Sequence, residues 1–141
     1  MLLVLFAGCG EANETPESDA LKRAKEINAQ TQEASVQFED QLASLRQQFN
    51  DEIEAAGDDP TSQPMKDMQT LDSLAAEFDL WKEGFNAIVL PGAACNHDHA
   101  DGEHHHHHEE TEGTDRDHLE VQQELSDELA RLQAALNQTE N

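Results

Sequence analysis

The chain has 141 residues, 36% of them hydrophobic, 4% aromatic and 28% charged, and its 8 Lys and Arg stand against 31 Asp and Glu for a formal net charge of −23. No basic stripe is available to displace phosphate counterions, so nucleic acid is excluded as a partner, and the body repels anionic lipid while leaving small cations and basic partners open. The apolar supply is thin for a globular core, and the abundance of Glu, Gln, Ala, Leu and Asp is a helix-forming vocabulary, which predicts an elongated all-α protein.

The chain begins with a short apolar run, Leu2-Leu3-Val4-Leu5-Phe6-Ala7, followed by Gly8-Cys9 and a polar stretch from Gly10 to Ser18. A bilayer span needs about 20 apolar residues, so this run is too short to cross one. Small residues before a Cys, with polarity straight after it, suit a cleaved secretory leader. Phe6-Ala7-Gly8-Cys9 resembles the lipobox of bacterial lipoproteins, in which the Cys is acylated and becomes the first residue of the mature chain. The resemblance implies a leader over residues 1–8, a lipid anchor on Cys9 and a tether over residues 9–18. No Lys or Arg precedes the apolar run, as expected if the true start of the leader lies a few residues upstream. More than one acyl chain gives stable anchoring, and residues 10 to 18 reach at most about 30 Å when extended. With Cys9 lipidated, Cys95 is left without an internal disulfide partner, as a free thiol, an intermolecular bridge or a metal ligand.

From Ser18 to Ala56 the apolar residues Leu21, Ala24, Phe38, Leu42, Leu45, Phe49 and Ile53 fall at helical intervals, the later ones separated by alternating threes and fours. Asn28, Thr31 and Ser35 occupy the early part of this seam, so its first half is expected to pack loosely or to face something else. Lys22, Arg23 and Lys25 near the start and Asp51, Glu52 and Glu54 near the end run against the helix dipole, which reads as a solvated surface. Gly57-Asp58-Asp59-Pro60 ends the helix. Thr61 or Ser62 is placed to cap a second helix with Pro64 in its first turn, and Met68, Leu71, Leu74, Ala75, Phe78, Trp81 and Phe85 form its apolar face. Residues 19–90 therefore predict an antiparallel helical hairpin of coiled-coil type, stopped at Pro91-Gly92.

Residues 91–113 show no periodicity and are rich in Gly, His and acid, which predicts a flexible connection. It holds Cys95-Asn96-His97-Asp98-His99-Ala100-Asp101-Gly102-Glu103, then His104, His105, His106, His107 and His108, then Glu109-Glu110, and so seven of the eight His of the chain. Imidazole is a good ligand for Zn²⁺, Ni²⁺ and Cu²⁺. Alternate spacing, as in His97 and His99, brings two rings to one ion from an extended backbone, and Cys95, Asp98 and Asp101 are additional donors. Such a run offers many overlapping sites in place of one fixed geometry, which suits buffering or collecting metal. The competing readings are a purification tag, a solvated linker without an ion and a pH-sensing run.

A third helix is expected over residues 114–138, where Thr114 with Asp117 three residues on resembles a capping box and Val121, Leu125, Leu129, Leu132 and Leu136 form the stripe. His118, at its start, is assigned to the surface, and Trp81 with Phe78 and Phe85 to the core. The phosphate loop, the His-Glu-x-x-His helix and the Gly-x-Ser-x-Gly elbow are all absent, so no catalytic residue is assigned and no cofactor is required for the fold.

The order Asp72-Ser73-Leu74, Trp81, Val89-Leu90-Pro91-Gly92 and then the His-rich stretch resembles small lipoproteins of Bacteroidota-type bacteria. That resemblance covers the lipobox and residues 66–108; it implies a helical lipoprotein of the cell envelope, on the outer rather than the inner membrane, and brings no activity with it. His-rich loops also occur in periplasmic zinc-uptake proteins, whose α/β body is missing here. The sequence thus points first to a membrane-anchored binder of divalent transition metal. The other reading is a structural protein whose helices meet a helical partner or a second copy of the chain.

Overall fold

A computed structural model of the protein describes residues 17–57, 61–92 and 113–139. Three helices, α1 (Asp19–Ala56), α2 (Gln63–Ala87) and α3 (Asp115–Thr139), take up 88% of them, and no strand occurs among the described residues. The protein is all-α.

Local capping chemistry sets both ends of α1 and the start of α3. Ser18 caps α1, its hydroxyl accepting the Leu21 N–H at 3.1 Å. Gly57 closes α1 in the left-handed region at φ 79°, its N–H returning to the Glu54 and Ile53 carbonyls. Ser62 takes the N-cap backbone conformation of α2, with Pro64 in the first turn, but its side chain makes no capping bond. The α3 start is a reciprocal box: the Thr114 N–H donates to Asp117 Oδ2 at 2.8 Å, and the Asp117 N–H donates to Thr114 Oγ1 at 3.2 Å.

α1 and α2 run antiparallel, as the pairing of Arg46 with Asp72 and of Lys82 with Glu39 requires. Trp81 with Leu125 and Glu77 with Arg131 set α2 antiparallel to α3, while Asn28 with Gln122 and Ala34 with Gln133 set α3 parallel to α1. The result is an up-down-up arrangement in which every helix packs on the other two.

The core forms where the three apolar stripes meet. Phe38, Leu42, Leu45 and Phe49 come from α1, Leu71, Leu74, Phe78, Trp81 and Phe85 from α2, and Leu129, Leu132 and Leu136 from α3. Phe38 and Phe78 pack at a centroid distance of 4.7 Å, and the Phe78, Trp81 and Phe85 rings continue the column at 5.4 and 5.0 Å. Trp81 is therefore a core residue.

Toward the start of α1 the packing changes character. Leu21, Ala24 and Ile27 are buried, but so is Thr31 at 2% exposure, and α3 faces this half with His118 at 3% and Gln122 at 0%. Two assignments from the sequence are corrected here. His118 is not a surface residue, and Val121 is half-exposed while Gln122 takes the inward position on the stripe. The early seam of α1 faces α3 and carries a hydrogen bond to it.

Candidate functional site

Cys9, the expected anchor, and the expected metal donors His97, His99, His104, His105, His106, His107 and His108, with Cys95, Asp98 and Asp101, all lie outside the described residues. What the fold supplies is the place where their segments join the bundle.

Three junctions meet at one end. Glu17, the first described residue after the N-terminal stretch, pairs with Lys25 Nζ at 2.5 Å. Gly92, the last residue before 93–112, lies against the same ammonium: a Cβ built on it would stand 3.4 Å from Lys25 Nζ. Gly92 holds φ at 66°, a left-handed conformation that Gly adopts without steric cost. Gly113, the first described residue after 93–112, packs beside Asp117 and His118 at the start of α3. About two turns into α3, that helix is held to α1 where Asn28 Nδ2 donates to Gln122 Oε1 at 3.1 Å. The up-down-up topology makes this convergence unavoidable, since α1 and α3 begin at the end where α2 finishes.

Electrostatics at this end are locally balanced. Lys22 pairs with Asp19 at 3.7 Å, Arg23 with Glu26 at 2.9 Å and Arg116 with Glu120 at 3.0 Å. The basic trio of α1 is thus a set of exposed ion pairs, each worth at most about 1 kcal/mol. Asp117 accepts from the Thr114 hydroxyl and backbone N–H, and these bonds hold its carboxyl below the ordinary carboxylate range. Further along the bundle, the hydrogen bond to Glu39 raises Lys82, and Glu128 is lowered by Arg131, which itself bridges to Glu77 on α2.

Behind the junctions lies a polar layer that sequence reasoning only half identified. Thr31 Oγ1, His118 Nε2 and Gln122 Nε2 are buried and find no hydrogen-bond partner among the described residues. Leaving such a group unsatisfied costs on the order of 1–3 kcal/mol. The signal for His118 and Gln122 was present: counting back from Leu136 through Leu132, Leu129 and Leu125 in alternating fours and threes lands on both.

Among the described residues no group of three or more His, Cys, Asp and Glu is arranged to hold a metal ion. His118, the one described His, has no acidic or thiol cluster around it of that kind. No described helix is long and apolar enough to cross a membrane. Phe38, Leu42 and Leu45 are enclosed by α2 and α3. The large apolar side chains left exposed among the described residues are Val36 and Leu80.

No family model, no curated protein and no solved structure matches the chain.

Proposed function

We propose that the chain is a cell-envelope lipoprotein, held to the membrane by acyl chains on Cys9, that binds or buffers divalent transition metal through His97, His99 and His104 to His108. Zinc is the foremost ion for these donors, with nickel and copper next. The observation that carries the reading is the density of imidazole: seven His within residues 97–108 of a chain whose other 129 residues hold one. Carboxylates on either side, Asp98, Asp101, Glu103, Glu109 and Glu110, raise the local cation concentration.

The topology supports this reading in a specific way. A segment joined to the bundle at Gly92 and Gly113 emerges at the end that Glu17 also occupies. With the anchor on Cys9, the donors attach within about 30 Å of the bilayer surface, the extended reach of the tether. Metal is then collected close to the membrane, and the helical body serves as the mount.

Calorimetric titration of Zn²⁺ into the chain from residue 10 onward tests the metal half of the proposal, with all seven His replaced by Ser as the comparison. The expected result is multi-site binding that disappears in the variant while the helical circular dichroism stays the same. Equal isotherms from the two proteins contradict the proposal.

A further inference from the structure

We infer that Asn28, Thr31, His118 and Gln122 form a register lock that fixes where α3 sits along α1, and with it where residues 93–112 join the bundle. Two observations carry this. All four lie on the α1–α3 seam within one turn of the Asn28 to Gln122 hydrogen bond, and Thr31, His118 and Gln122 each bury a polar atom that finds no partner among the described residues. A seam selected for stability alone would place apolar side chains there.

The need for a lock follows from the rest of the bundle. The apolar stripes of α1 and α3 repeat in threes and fours, so shifts by seven residues preserve much of the hydrophobic match. The 20 residues from 93 to 112 can extend to about 60 Å and do not dictate a register by length. The polar positions remove the degeneracy. A slide of seven residues toward the start of α1 sets Gln122 against Leu21, and a slide of fourteen the other way sets it against Leu42. The intermediate slide sets it against Ser35, whose hydroxyl already donates to the Gln32 carbonyl at 2.8 Å, and carries Asn28 from Gln122 to Asp115 in the first turn of α3. Only the observed register joins amide to amide. This is the role best attested for buried polar groups in helical seams, in which stability is given up for a single pairing.

Trp81 is the only Trp of the chain, and its indole N–H donates to the Leu125 carbonyl at 2.9 Å; a slide of α3 by seven residues would put the His118 or Leu132 carbonyl in that place, among different side chains. The chemical shift of its single indole resonance therefore reports the register through the side chains that surround it. In the double variant Asn28→Leu, Gln122→Leu we expect retained helicity, a thermal midpoint raised by on the order of 5 °C, and an indole resonance that splits into several peaks or loses its protection from hydrogen exchange. The swapped variant Asn28→Gln, Gln122→Asn keeps the complementarity and should retain one protected peak. A leucine variant with one indole peak, at the parent's chemical shift and as protected as in the parent, overturns the inference. So does a leucine variant that is less stable than the parent or unfolded beside a folded swapped variant, because the pair then acts through stability and not through register. Multiple indole peaks in the swapped variant overturn it as well.

Discussion

The Trp81 indole Nε1 donates to the main-chain carbonyl of Leu125 at 2.9 Å, which ties the middle of α2 to α3 while the same ring stacks between Phe78 and Phe85. Apolar packing and a directional bond meet in one side chain. Trp81→Phe keeps most of the stack and loses the bond, so unfolding in urea should show a loss of about 1 kcal/mol, whereas Trp81→Ala should lose about 3–5 kcal/mol. Similar losses from the two variants would mean that the hydrogen bond carries the tie.

Phe38 is fully enclosed and meets Phe78 at 4.7 Å in the centre of the core. Phe38→Ala should destabilise by about 3–5 kcal/mol, read as a lower midpoint in a urea melt. Val36→Ala, two residues away and exposed, should change the melt by less than about 0.5 kcal/mol.

Thr31 buries a hydroxyl that finds no partner among the described residues. Thr31→Val has nearly the same shape and removes the orphaned group, so its thermal melt should be unchanged or shifted upward by up to about 1 kcal/mol of added stability. A loss of more than about 1 kcal/mol would show that the hydroxyl is satisfied in solution.

The start of α3 depends on Thr114 and Asp117 together. Thr114→Ala should cost about 1 kcal/mol by circular-dichroism melting. Because the folded Asp117 carboxyl titrates below its unfolded value, its contribution is present above the ordinary carboxylate range and is lost as pH falls through the lowered folded value. Asp117→Asn should therefore flatten the acid limb of stability against pH, while an unchanged limb would assign it to other carboxylates.

Metal affinity should follow imidazole protonation. Zn²⁺ binding by the full-length body, measured by competition with a chromophoric chelator, should be complete at pH 7.5 and weaken as pH falls through about 6.5. Binding that is flat across this range would point to carboxylate ligation.

Much of the fold was legible in the sequence because its strongest signals are local. The stop at Gly57, the box at Thr114 and the stripe from Phe38 to Phe49 each act within a few residues, and the fold keeps them, whereas α2 ends at Ala87, ahead of the expected stop at Pro91-Gly92. The polar half of the α1–α3 seam was not legible in the same way. Thr31 on α1 is buried by a surface that α3 contributes from more than 80 residues away, and His118 and Gln122 read as outward-facing when helix amphipathicity is judged by residue type. Ile27 was passed over beside Asn28 for a related reason, since both lie near the seam and only the packing of α3 decides their roles. For the proposed anchor and the proposed His-rich donors the order is reversed: residue chemistry names them, and the fold adds the end of the bundle to which their segments attach.

Display of the histidines beside a membrane depends on the state of one sulfur, that of Cys9. Intact-mass analysis of the protein isolated from its native cell should give a chain that begins at Cys9 and carries the added mass of acyl groups. A chain that still includes residues 1–8, with Cys9 unmodified, would contradict the account.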